Sequence, residues 1–318
     1  MPGRADGGSA AAMVPDALGG RAVARVPRGE LWIAPDVLAG AGLPRSPQGL
    51  VELARRLGTD LSFLSCTGPL GLGDDPAALH DAVAVVHEGG QACGAVVDGP
   101  WQRLTGHAGL ESALRLTTDA TLGQRLADLA RETEREVDGW TLAGADLIVL
   151  ADDVAHTGGP LFSPALFERE LVPHYRRLLD GAGPRSPGHG RQRPLLGFHS
   201  DGDLSRLLPA LVRAGFACFS LEPEATAPAE VWRRFGRRVT LLTGIPAAWL
   251  TRFVDWSQVA PALAELTRGG SLILASTCGV FERRGLENLA TIYRLTDDAA
   301  ASGGANAAAG RRPATGAP

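Results

Sequence analysis

Residues 194–222 read PLLGFHSDGDLSRLLPALVRAGFACFSLE. The stretch opens on one apolar run, Pro194–His199, and closes on another, Cys218–Glu222. Between them Leu204–Ala214 carries leucine and alanine at helical spacing, with Asp203 placed to cap its start and Gly215 its end. Runs without polar alternation are what parallel strands buried on both faces require, and parallel neighbours need a crossover of this length. The stretch is one strand–helix–strand unit.

The same unit recurs in both directions along the chain. Strands are expected at Glu30–Ile33, Leu61–Cys66, Cys93–Asp98, Asp146–Ala151, Pro194–His199, Cys218–Glu222, Val239–Gly244 and Ser271–Ser276. Helical patterns follow them, as at Ala165–Leu179 (capped by Ser163 ahead of Pro164) and Leu286–Leu295. Eight such repeats predict an α/β fold, a single (β/α)₈ TIM barrel. A doubly wound open sheet would carry a glycine-rich phosphate turn after an early strand. Here Gly68, Gly71 and Gly73 form no GxGxxG, and the turn holds Pro69. The barrel is placed at residues 21–298. Residues 1–20 and 299–318, rich in Ala, Gly and Pro, read as disordered tails.

The 318 residues are 45% hydrophobic and 21% charged, as in ordinary globular chains, and suffice for one such barrel. A net charge of −4 leaves no cationic footprint for nucleic acid or for a membrane surface. Apolar runs such as Leu147–Ala151 are far too short to span a bilayer. The first twenty residues lack the charged start and apolar core of a signal peptide, so a cytoplasmic protein is expected. The cysteines, Cys66, Cys93, Cys218 and Cys278, are widely spaced and read as reduced thiols.

A barrel of this kind does its chemistry at the C-terminal ends of its strands, and reactive side chains gather where the apolar runs stop. Strand three ends at Asp98, strand four at Asp152 and Asp153, strand five at His199 and Asp201, strand six at Glu222, and strand eight just before Cys278. Asp152 and Asp153 are adjacent, so their side chains diverge and at most one faces the mouth. His199 and Asp201 are two apart and point to the same side. Imidazole, carboxylate and thiolate are all zinc ligands, and three of them with an open position describe a catalytic zinc. His199, Asp201 and Cys278 are therefore the candidate metal set, and Asp98, Asp152, Asp153 and Glu222 the candidate catalytic carboxylates. The alternative for Asp201 is a hydrogen-bond acceptor for His199 or for a ligand. Cys66 and Cys218 read as core, and Cys93 opens its strand at the far end.

GADLIVLADD (144–153), GPLFSP (159–164), Phe167, Pro173, GFHSDG (197–202), Ala214 to Phe216, Glu222, Thr243 to Ile245, STCG (276–279) and Asn288 resemble the uroporphyrinogen decarboxylase superfamily in order and spacing. The resemblance covers about residues 24–295. It implies a TIM barrel and two branches of chemistry. True uroporphyrinogen decarboxylases carry an arginine-rich motif near the start and a catalytic aspartate after the second strand. Here Val26–Ile33 holds the single Arg28, and no carboxylate follows Leu61–Cys66 before Asp74. An octa-acid substrate needs several cationic or N–H donors, whereas these strand ends are acidic. The methylcobalamin:thiol methyltransferases of the superfamily bind zinc through an HxC motif after strand five and a cysteine after strand eight. His199 and Cys278 match, and Asp201 stands where the first cysteine would be, a harder ligand.

The resemblance thus implies a methyltransferase with zinc at the mouth and a corrinoid supplied by a carrier protein, acting on a small methyl donor or acceptor. Asp98, Asp152 or Asp153 would position substrate or relay a proton, and Glu222 would stand by as a further ligand. It also implies a homodimer as one assembly. Two other activities stay open: cofactor-free decarboxylation of a porphyrinogen in porphyrin biosynthesis, and a non-catalytic barrel that binds a corrinoid or tetrapyrrole.

Overall fold

A computed structural model describes residues 10–21, 23–68, 70–181, 194–276 and 279–309. Eight parallel strands run side by side in chain order: β1 (Gly29–Glu30), β2 (Leu61–Leu64), β3 (Ala92–Asp98), β4 (Leu147–Ala151), β5 (Leu195–Ser200), β6 (Cys218–Leu221), β7 (Thr240–Ile245) and β8 (Leu272–Ser276). All eight expected strands are present, and the fold is the α/β TIM barrel. Its seam is thin because β1 has only two residues. Single parallel bridges, Arg28 to Leu274 and Ile33 to Val280, complete the closure between β1 and β8.

Alternation along the strands divides the apolar residues into two cores. Leu61, Phe63, Ala92, Val96, Leu147, Val149, Cys218, Leu242, Ile273 and Ala275 fill the inside of the barrel. Leu64, Ala95, Val97, Ile148, Leu150, Phe198, Phe219 and Leu221 point outward and pack under the helices. Helix starts are fixed locally: Ser46, Asp75, Ser163 and Asp255 each accept from a backbone N–H two or three residues on. Asp203 accepts from Ser205 N at 2.8 Å, but regular helix begins only at Leu208, after a turn at residues 204–207. Cys66, Cys93 and Cys218 are free and buried.

The two expected tails need correction. Ala10–Leu18 forms a helix, α1, whose Val14, Ala17 and Leu18 are buried in the inner core, so the helix stoppers the N-terminal end of the barrel. Thr240 and Ser271, at the starts of β7 and β8, donate their hydroxyls to Ala17 O at 2.9 and 2.8 Å. They add side-chain donors to a helix-end carbonyl that also accepts from Gly20 N at 3.0 Å. At the other terminus the last helix runs from Arg283 to Ala309, past the boundary expected at 298. Residues 1–9 and 310–318 lie outside the described residues, as do residues 182–193. No helix among the described residues is long and apolar enough to cross a membrane.

Candidate functional site

The inner parity of each strand carries through to its C-terminal end. On β3 it runs Ala92, Gly94, Val96, Asp98; on β4 and its continuation Leu147, Val149, Ala151, Asp153. On β5 it runs Leu195, Gly197, His199, Asp201, and on β6 Cys218, Ser220, Glu222. The fold therefore delivers Asp98, Asp153, His199, Asp201 and Glu222 to the mouth together.

His199 is the pivot. Its Nδ1 lies 3.0 Å from the hydroxyl of buried Ser220, which fixes the ring and turns Nε2 toward two carboxylates. Nε2 stands 3.8 Å from Asp201 Oδ1 and 4.0 Å from Asp153 Oδ1. Asp153 Oδ1 also accepts from the backbone N–H of Asp201 at 2.9 Å, tying the β4 and β5 loops. Ligand atoms of Asp153, His199 and Asp201 all lie within 4.8 Å of one another, the one such group of metal-binding side chains among the described residues. Burial, with the charges of Asp153 and Glu222, pushes the Asp201 carboxyl upward against the opposing pull of His199.

Asp152 is a correction. It does not face the mouth: fully buried, it turns outward, accepting from Gln102 N at 2.6 Å and from the Tyr175 hydroxyl at 2.6 Å. Gln102 lies in the first turn of α2 (Pro100–Ala108), so Asp152 caps a helix on the neighbouring unit. Tyr175, on α3 (Val172–Gly181), is held for this bond by edge contacts with Phe198 and Phe216. Gly99 permits the approach, because a Cβ there would meet the Asp152 carboxyl carbon at 2.3 Å. Burial pushes the Asp152 carboxyl up to about 7. Its role is structural.

Glu222 accepts from the backbone N–H of Gly202 at 2.9 Å, so part of its work is to hold the turn that carries Asp201. Gly202 has φ +84°, and a Cβ on it would strike the backbone of His156 at 2.5 Å. His156 belongs to a small antiparallel ribbon, Ala155–His156 with Gly159–Pro160, laid against this turn. Asp98 is half-buried at the end of β3. Burial raises its carboxyl, the Arg103 guanidinium lowers it, and Asp153 adds a smaller push upward. Arg103 itself is directed elsewhere, to the carbonyl of Asp98, to Thr133 and to Glu136. Cys278 lies outside the described residues. Sequence reading missed Ser220, which shares the inner parity of Glu222, and it did not group Asp153 with His199 and Asp201. The sequence contains no lysine, its 31 basic residues all being arginine, so no lysine Schiff base is available to this mouth.

Parallel eight-stranded closure with acid and imidazole groups at the strand ends defines a TIM barrel carrying its reactive groups at the C-terminal face. The chain belongs to the uroporphyrinogen decarboxylase (URO-D) family, whose model matches residues 81–298. Among solved structures it is similar to a methyltransferase from Methanosarcina mazei, with a TM-score of 0.72 and 18% identity over 91% of this chain and 98% of that one. It is also similar to a D-allulose 3-epimerase from Methylomonas sp., with a TM-score of 0.54 and 14% identity over 86% and 98%. At these identities the likeness shows the shared fold. No curated protein matches the chain.

Proposed function

We propose that this chain is a methyltransferase of the URO-D family whose barrel mouth holds a divalent metal on Asp153, His199 and Asp201. The observation that carries the reading is the convergence of those three side chains from β4 and β5. The donor set fits a metal. At bonds of about 2.0–2.2 Å, two ligands on one ion stand about 3–4 Å apart, and the His199 distances of 3.8 and 4.0 Å fall at the upper end of that span. The hydrogen bond between Ser220 and Nδ1 is the outer support that a ligating histidine uses to fix its ring. Two carboxylates and one imidazole make a harder set than the His/Cys set of thiol methyltransferases, suited to zinc but also to manganese or iron.

A bound ion would supply Lewis acidity, lowering the pKa of a thiol acceptor or polarising the oxygen of a methyl ether. The residues themselves orient and hold protons. Ser220 fixes His199, Glu222 fixes the Asp201 turn through Gly202, and Asp98 stands across the mouth as a carboxyl whose pKa burial raises. The methyl-carrying corrinoid would come on a partner protein, and no residue is assigned to it. The mouth's acidic character and the missing arginine clamp at Val26–Ile33 weigh against porphyrinogen decarboxylation.

The test is metal analysis of protein purified without chelator, together with methyl transfer from methylcobalamin to a small thiol. About one metal per chain, and turnover that Asp201→Ala abolishes, are expected. Metal-free protein that also fails to turn over would overturn the proposal. So would metal content untouched by Asp153→Ala and Asp201→Ala.

A further inference from the structure

We infer that the opposite, N-terminal end of the barrel carries a second binding site, a cationic cleft for a small phosphoanion. The cleft encloses about 480 Å³ and is walled by three separate segments. Arg21 and Arg25 come from the connection after α1, Trp232 and Arg237 from the helix Pro228–Phe235 and the turn beyond it, and Arg268 and Gly270 from the end of the helix Trp256–Gly269 and its continuation. Among the described residues four arginines line it and no carboxylate does, in a chain whose net charge is −4.

Two of the four arginines are already committed. Arg21 pairs with Asp16 and Arg25 with Asp60, both at 2.6 Å. The Arg237 and Arg268 side chains have no hydrogen-bond or ion-pair partner among the described residues. Arg268 lies in the last turn of its helix and offsets the dipole there, but Arg237 lies beyond its helix. Trp232 lines the same cleft. Trp232 is 7% exposed, and its indole Nε1 is buried with no hydrogen-bond partner. A buried donor left unpaired costs about 1–3 kcal/mol. Gly269 and Gly270 lie against that ring, where a Cβ would come within 2.4 and 2.5 Å of ring carbons, so the two glycines let this wall of the cleft pack on the indole.

Free guanidiniums recognise phosphate oxygens, which accept paired bonds from arginine. The volume falls in the range of small-ligand sites, about 300–1,000 Å³, and admits anything from pyrophosphate to a nucleoside diphosphate. A bound diphosphate would bridge the segment that follows α1 to the two helices, fastening the stopper to the barrel. The inference stands apart from the metal reading at the mouth.

The experiment titrates the full chain with inorganic pyrophosphate and separately with ADP, by calorimetry and by thermal unfolding at low salt. Saturable binding of about one anion per chain with a rise in Tm is expected. Arg237→Ala with Arg268→Ala should weaken it at least tenfold while leaving the ligand-free Tm unchanged, since both side chains are exposed. ADP binding more tightly than pyrophosphate assigns a nucleotide; equal affinities assign the phosphates alone. No saturable binding of either probe, or binding that the double variant retains, overturns the inference. Asp201→Ala should leave binding unchanged.

Discussion

Asp152 and Asp153 show how far a single peptide step decides a role. The two are chemically identical and adjacent, yet alternation sends Asp153 to the mouth and Asp152 into the helix layer, where it accepts from Gln102 N and the Tyr175 hydroxyl. Asp152→Ala strands two buried donors and should cost about 2–4 kcal/mol in chemical denaturation, with metal content kept in the protein that remains folded. Asp153→Ala should do the reverse, costing less than about 1 kcal/mol and losing the metal. Equal destabilisation by the two would refute this division of labour. Ser220→Ala leaves every proposed ligand in place but unfixes His199, and a fall of about 10–100-fold in metal affinity is expected. An unchanged affinity would remove Ser220 from the site. Divergence of the two aspartates was legible in the sequence, because it is a property of the strand period. Which of them faces inward was not, since that depends on a register set by contacts across the sheet. Ser220 went unread because a serine inside an apolar run carries no local sign that a histidine on the next strand needs it.

Among the elements, the strands were legible and α1 was not. Strands announce themselves by continuous apolar runs, and all eight lie where the runs do: β1, β2, β4, β6 and β8 are shorter than the runs, β3 starts one residue earlier, and β5 and β7 are shifted by one. The segment AAAMVPDAL (10–18) offers few bulky apolar residues and contains Pro15, so nothing local distinguishes it from a tail. Its burial is created by its partner, the inner core of the barrel, which would otherwise be open to water at that end. Removing residues 1–20 exposes Val14 and Leu18 contacts worth roughly 1.5–3 kcal/mol each and leaves the Thr240 and Ser271 hydroxyls without Ala17 O. A fall in Tm on the order of 10 °C is expected. An unchanged Tm would show that the stopper contributes nothing to the barrel. The ribbon over the Asp201 turn tests the mouth in the same manner. Gly202→Ala forces a Cβ into the His156 backbone and should reduce metal binding more than it reduces stability, because the displaced turn carries Asp201.

For the molecule as a whole, the weak point of a closed barrel is its seam, and here a buried carboxyl spans it. Glu30 on β1 accepts from the backbone N–H and hydroxyl of Ser276 on β8, and from the Tyr293 hydroxyl of the last helix at 2.7 Å. Arg28 lies over the Tyr293 ring and pairs with Asp297, and Asp60 sits behind it with Arg25, so the seam's charges are nearly balanced. Burial outweighs the three donors and pushes the Glu30 carboxyl up to about 7 from 4.5. The folded protein therefore keeps a proton that the unfolded chain releases above about 4.5. Glu30's contribution is complete below that value and is lost as the pH rises toward and through 7. Over that window the difference amounts to about 3 kcal/mol. Glu30→Gln keeps the size and an acceptor oxygen but has no proton to lose. Urea unfolding at pH 5 and pH 8 should show the wild type losing stability to rising pH and the variant losing about 3 kcal/mol less. Because the group bridges the first and last strands, the loss should appear as weaker protection of β1 and β8 amides before the other strands exchange. Parallel pH curves for the two proteins would mean that Glu30 is ionised in the folded state, and that the donors from Ser276 and Tyr293, not burial, decide its charge.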